Sequence, residues 1–110
     1  MAEEMEDLVK QYSDSLPDKI KTIEALWQRL QKKWDLDTFS EFHLKIHELC
    51  ASSELYGFRK ISGLANQLQM CLLLLSRESN MIGEVQKQEI NDLLHQIKEA
   101  IADCLIITVA

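Results

Sequence analysis

Two histidines and a cysteine lie at helical spacing near the middle of the chain: His43, His47 and Cys50. Residues three and four apart share one face of a helix, so these side chains would be neighbours. Imidazole can act as a nucleophile, as a metal ligand, or as the base that activates a thiol. The residues around this face decide which of these chemistries the chain favours.

The metal and thiol chemistries lack the further residues that they need. A zinc-protease helix carries a glutamate between its two histidines, and residues 44–46 contain none. The sequence offers no evident third ligand, so we predict no metal site. A cysteine hydrolase would also need an acid to orient the imidazole and an oxyanion site, and neither follows Cys50. His95 is interpreted as a surface residue.

A more specific pattern occupies the run His47–Gly57, which reads HELCASSELYG. The histidine is followed by adjacent serines, Ser52 and Ser53, and by a glycine ten positions on. This run resembles the signature of histidine-containing phosphotransfer (HPt) domains of bacterial two-component phosphorelays. The resemblance extends less specifically to positions outside the run, namely Leu8, Tyr12, Leu16, Pro17, Ile20, Leu64, Ala65 and Leu68.

The resemblance implies that His47 accepts a phosphoryl group from a receiver-domain phosphoaspartate and passes it to another receiver. The domain would then be a phosphohistidine carrier and not an enzyme by itself. It would need no cofactor, because Mg²⁺ is expected only in the receiver. Its partners would be receiver domains, a hybrid histidine kinase, or both, and we expect a monomer.

Several residues would support His47 in this role. Gly57 predicts a turn between two helices, and residues at comparable distances from such a turn lie side by side, which places Gln69 near His47. Some members of the family also keep a glutamine there. The supporting residues predicted are Gln69, Cys50, Ala51, Ser52 and Gly57, and those predicted for partner docking are His43, Leu44 and Phe58.

Two departures from the family keep a second hypothesis open. Cys50 stands where the family has a lysine, and Ala51 where it has a glycine. A phosphoryl group adds roughly −1.5 to −2 charges, by analogy with phosphoserine, and the lysine would meet that charge. Lys45 points to another face, and Arg59 or Lys60 near the turn could substitute. The alternative is a degenerate HPt-like helical adaptor that binds signalling partners without phosphotransfer.

The elements that hold this face are predicted to be helices throughout. Apolar residues recur every three to four positions, and good helix formers dominate over three glycines and one proline. We predict a short first helix over 4–12, a break at 13–15, and further helices over about 17–34, 38–55, 58–76 and 85–105. The predicted fold is all-α, an antiparallel up-and-down four-helix bundle with a short N-terminal capping helix.

Length and composition bound the remaining expectations. A chain of 110 residues fits one domain, which we predict over 1–110 and which a longer signalling protein could contain. The net charge of −6 and the lack of a basic cluster argue against nucleic acid and anionic membrane. The apolar run at 70–75 is too short for a membrane span. Three separated cysteines and an acidic start predict the cytoplasm.

Overall fold

The computed structural model describes the backbone over residues 2–78 and 83–109, and the side chains over 4–75 and 83–105. It contains the helices α1 (Ala2–Lys32), α2 (Leu36–Leu55), α3 (Arg59–Glu78) and α4 (Glu84–Val109). No strand occurs within these ranges. The all-α prediction is therefore confirmed.

The four helices form an up-and-down bundle. Each packs against the helix before and after it in the chain, and α1 packs against α4, which closes the ring. Contacts between α1 and α2 join Tyr12 to Ser52 and Trp27 to Phe42, so later residues of α1 meet earlier residues of α2. The neighbouring helices are thus antiparallel, as predicted.

The predicted break after the first helix is wrong. Residues 13–15 belong to α1, which continues from Ala2 through Lys32 with Pro17 inside it. Tyr12, Leu16 and Ile20 form one buried stripe across the expected break, and Ser13 is 1% exposed on the same side. Core packing on both sides of Pro17 outweighs the lost backbone hydrogen bond. The predicted capping helix is instead the first part of α1.

The second helix begins slightly earlier than the predicted start at 38. It starts at Leu36, and Asp35 is its N-cap. Its Oδ2 accepts hydrogen bonds from the Thr38 amide at 3.1 Å and from Thr38 Oγ1 at 2.6 Å. These bonds favour the ionised carboxylate and lower the pKa of Asp35.

The turn between α2 and α3 follows the prediction. Gly57 has a φ of +86°, the left-handed conformation that ends a helix at low cost for glycine alone. The amide of Phe58 donates to the carbonyl of Ser53 at 2.8 Å, which satisfies one of the last carbonyls of α2. The short turn returns α3 along α2 and brings their facing side chains together.

One apolar core fills the space between the helices. Trp27 stacks on Phe42 with ring centroids 5.6 Å apart, and Trp34 packs partly buried against Phe39. The predicted stripes of the bundle are buried, including Ile23, Leu30, Ile46, Leu49, Leu68, Leu72, Ile90, Leu94, Ile97 and Ile101. Met5, Leu8 and Val85, near the starts of α1 and α4, are exposed. Among the described helices, none combines the length and apolarity of a bilayer-spanning segment.

Candidate functional site

His47 lies on the exposed side of α2, next to a residue that anchors the helix. Ile46 is fully buried in the core, while His47 is exposed and turned toward α3. Gln69 of α3 donates from Nε2 to Nδ1 of His47 at 2.9 Å. The predicted proximity of these two side chains is therefore confirmed. Among the described residues, the neighbouring helix holds the imidazole through Nδ1.

The amide of Gln69 controls where the imidazole carries its proton. When the amide Nε2 donates to Nδ1, the neutral ring has its proton on the other nitrogen, Nε2 of His47. A half-turn of the amide exchanges its Nε2 for Oε1, which then accepts a proton from Nδ1–H. The second arrangement leaves a lone pair on Nε2 of His47. The same contact thus allows a nucleophilic nitrogen on the ring.

The small residues after His47 divide between two faces of α2. Ala51 is exposed one turn after His47 and leaves space beside the ring. Ser52 Oγ lies 2.6 Å from the hydroxyl of Tyr12, and the buried Ser53 Oγ donates to the Leu49 carbonyl at 2.6 Å. The two serines therefore join α2 to α1 and close the turn, and they lie away from the imidazole.

Cys50 links α2 to α3 and carries a protonated thiol. Its Sγ donates to the carbonyl of Ser62 at 3.5 Å, and the side chain is half-buried. Burial raises the pKa of the Cys50 thiol, and the charge of Glu54 raises it further. A thiol with a raised pKa is a poor nucleophile at neutral pH. This geometry agrees with the weak sequence case for a cysteine hydrolase.

The lysine nearest to His47 in sequence faces the other way. Lys45 lies 3.5 Å from Glu48 and lines a polar crevice with Lys19 of α1. His47 instead faces α3, where Gln69 is its partner. The prediction that Lys45 points to another face is confirmed. Arg59 and Lys60 are exposed at the start of α3, near the Gly57 turn.

His43, which we predicted as a docking residue, is only partly exposed. The side chain is half-buried and its ring lies 6.4 Å from the ring of Phe39. Its Nε2 is buried and has no hydrogen-bond partner among the described residues. Burial lowers the pKa of His43, and the nearby His47 lowers it further. Burial of this nitrogen favours the neutral ring.

The predicted docking residues are not all in one place. Leu44 is 53% exposed, one turn before His47. Phe58 is half-buried in an aromatic cluster with Tyr12 and Tyr56, and it lines a groove beside the start of α1. It therefore belongs to the end of the bundle and not to the surroundings of the imidazole.

The apolar run at 70–75 includes exposed residues, and one of them lies beside the site. Leu73 is 41% exposed one turn after Gln69 on α3, whereas Met70, which is 55% exposed, lines a groove between α3 and α4. From the sequence, the run at 70–75 is interpreted most simply as core, with enough width to leave some surface for a partner helix. Its continuous apolar character was the available signal, because six consecutive residues cannot all face the inside of a helix.

The described residues contain no group of three or more histidine, cysteine, aspartate or glutamate side chains arranged to hold a metal ion. Comparison of the chain with protein-family models, with curated proteins and with solved structures gives no match. The case for a function consequently depends on the sequence pattern and on the geometry around His47.

Proposed function

We propose that His47 is the phosphoryl-accepting residue of an HPt-like carrier that shuttles a phosphoryl group between receiver domains. The observation that supports this most directly is the exposed imidazole on α2, held through Nδ1 by Gln69 of the adjacent helix. Phosphoryl transfer depends mainly on positioning and on charge stabilisation. A ring fixed by one nitrogen and open to solvent at the other is suited to both acceptance and release.

The transfer step is a displacement at phosphorus. With Oε1 of Gln69 accepting from Nδ1–H, the lone pair on Nε2 of His47 attacks the phosphorus of an aspartyl phosphate on the receiver. The bond between phosphorus and Nε2 forms, the phosphorus–oxygen bond breaks, and the aspartate carboxylate leaves with the electron pair. The Nδ1 proton stays in place, so Gln69 stabilises the ring before and after transfer. Mg²⁺ would belong to the receiver.

The surface around the imidazole fits a partially apolar partner. Leu44 and Ala51 flank His47 on α2, and Leu73 lies one turn after Gln69 on α3. Exposed apolar side chains grouped around a polar centre are typical of protein interaction sites. We propose this surface, which we call the His47 surface, as the docking site for receivers or a hybrid histidine kinase.

Cys50, Cys71 and Cys104 form no disulfide within the described residues, which fits a reducing compartment. We propose that the domain acts in the cytoplasm, where receivers would be its partners, and that it acts as a monomer.

The experiment is phosphoryl transfer from a panel of phosphorylated receivers, followed as acid-labile label on the domain. Wild type and the His95→Gln variant should both be labelled, because His95 Nε2 is bound to Glu99 at 2.8 Å on another face. His47→Gln should show none. Label that persists in His47→Gln would overturn the proposal, and so would wild type that stays unlabelled with every receiver although it binds at least one.

The second candidate is an adaptor that binds receivers without phosphotransfer. Cys50 favours it, because a half-buried, protonated thiol stands where the family has a phosphate-neutralising lysine. Calorimetric titration with the same receivers distinguishes the two functions. Binding that is lost in a Leu44→Asp variant, together with absence of label on wild type, would establish the adaptor.

A further inference from the structure

His43 and His47 form a pair one helical turn apart on α2. Side chains at this spacing have Cβ atoms about 5–6 Å apart. His47 is exposed and bound to Gln69, whereas His43 is half-buried and its buried Nε2 has no hydrogen-bond partner within the described ranges. The function proposed above uses only His47. His43 is a titratable group next to the reacting ring, with no role in that mechanism.

Phosphorylation of His47 would place a large negative charge beside His43. The phosphoryl group brings roughly −1.5 to −2 charges at pH 7, by analogy with phosphoserine. The domain already has a net charge of −6, and Cys50 replaces the family's cation. A charge-balancing group on the same helical face would therefore stabilise the phosphorylated state.

We propose that His43 takes up a proton from water when His47 is phosphorylated and balances part of the phosphoryl charge. This inference rests on the proposed function and assigns to His43 the task that the missing lysine would perform. In the unmodified domain the pKa of His43 is lowered, first by burial and then by His47. A phosphoryl group on His47 would instead place a negative charge beside His43, and that charge attracts the protonated imidazole.

Within the part of the chain that the structure describes, the titratable group that acts on His43 is His47, on α2. On α3, the register set by the contact between His47 and Gln69 places the uncharged Leu73 opposite His43. The helix α1 packs against the other flank of α2, where Lys19 lies with Lys45 and Glu48. Protonation of His43 should therefore report the state of His47.

The direct test is an NMR titration of the three histidine rings before and after phosphorylation. The domain is phosphorylated with phosphoramidate and, separately, with a phosphorylated receiver. We expect the pKa of His43 to rise by about one pH unit, since two opposite charges within one helical turn interact by this order of magnitude. The titration curve of His95, which lies on α4 beside Glu99, should not move.

The outcomes separate this inference from the proposed function. A titration curve of His43 that stays in place while His47 is phosphorylated would overturn the role of His43 and leave the carrier intact. Failure of both phosphodonors to modify His47 would overturn both. A rise in the pKa of His43, with an unchanged titration curve for His95, supports the proposed role of His43.

Variants provide a second readout that a purely structural role would not move. Protonated His43 stabilises phosphohistidine fully below its raised pKa, and this effect is lost as the pH rises through that value. His43→Gln should shorten the phosphohistidine lifetime several-fold at low pH and remove this part of its pH profile. Cys50→Lys added to His43→Gln restores a cation at the family's position and should rescue the lifetime.

Lys45→Gln is the matched control, because Lys45 lies on the flank that faces α1. Its pH profile should match that of wild type. A profile for His43→Gln that equals wild type, in a variant whose helicity is unchanged by circular dichroism, would contradict the role of His43.

Discussion

Two hydrogen bonds between a ring nitrogen and a side-chain amide join neighbouring helices of this bundle. Gln69 meets His47 across α2 and α3 at 2.9 Å, and Trp27 meets Asn91 across α1 and α4 at 2.7 Å. The Trp27 ring is 3% exposed, whereas the His47 ring is exposed. Indole has one nitrogen and imidazole has two.

These differences give the two bonds different tasks. The buried Trp27 N–H needs an acceptor, because an unpaired buried donor costs about 1–3 kcal/mol. His47 could bond to water instead of Gln69, so its bond adds little to stability. It orients a ring whose second nitrogen remains available for chemistry. We therefore expect the bond between Trp27 and Asn91 to govern stability and the bond between His47 and Gln69 to govern phosphoryl transfer.

The largest effect is expected when the two rings themselves are removed. Trp27→Ala should lower the free energy of unfolding by about 3–5 kcal/mol, because it empties a core position stacked on Phe42. His47→Ala should change it by less than about 0.5 kcal/mol, as for other surface substitutions. Urea unfolding followed by far-ultraviolet circular dichroism measures both. A loss above about 2 kcal/mol for His47→Ala would contradict the distinction.

Removing the side-chain amide of Asn91 or of Gln69 should separate the effect on stability from the effect on phosphoryl transfer. Asn91→Ala leaves the Trp27 N–H unpaired and should cost about 1–3 kcal/mol of stability without changing the rate of receiver-dependent labelling. Gln69→Ala should leave stability nearly unchanged and slow labelling about tenfold, which corresponds to about 1.4 kcal/mol of lost ring orientation. Equal labelling rates for the two variants would show that Gln69 has no part in the transfer.

The smallest expected effect is on the pH dependence of stability, and it involves a residue outside the two hydrogen bonds compared above. Burial, with further contributions from Glu89, raises the pKa of Cys71 from 9.0 to about 11. The folded state therefore favours the neutral thiol, and this contribution is complete below about pH 9 and is lost as the pH rises toward 11. Cys71→Ser should reduce the alkaline fall in urea midpoint between these values. If the alkaline fall in urea midpoint is unchanged in Cys71→Ser, it arises from other groups, such as Tyr12. Burial also raises the pKa of Tyr12.

Local sequence signals predicted most of the fold and part of the site. The helical stripes, the turn at Gly57 and the approach of Gln69 to His47 each follow from spacing or from the conformational freedom of glycine. The predicted break at 13–15 was wrong because serines and a proline are weak evidence against a helix once both sides are packed. The cap at Asp35 was missed because several short polar residues at 35–38 could each have accepted the amides.

The surroundings of the imidazoles were harder to predict. His43 and His47 are the same residue type one turn apart, yet one ring is half-buried against Phe39 and the other is exposed beside Gln69. A helical wheel gives the direction in which a side chain leaves its helix. It does not show how closely a neighbouring helix covers that side chain, and this determines whether the side chain is buried.

The sequence by itself determined an all-helical chain, the residues that form its core, and the run His47–Gly57 as the place where chemistry is to be sought. These features depend on residue type and on spacing along one chain, which are local properties. Only the tertiary structure decided that α1 is continuous, that Nε2 of His43 is enclosed, and that Lys45 faces α1. Burial and electrostatic environment depend on distances between helices, and those distances are set by packing of the whole bundle.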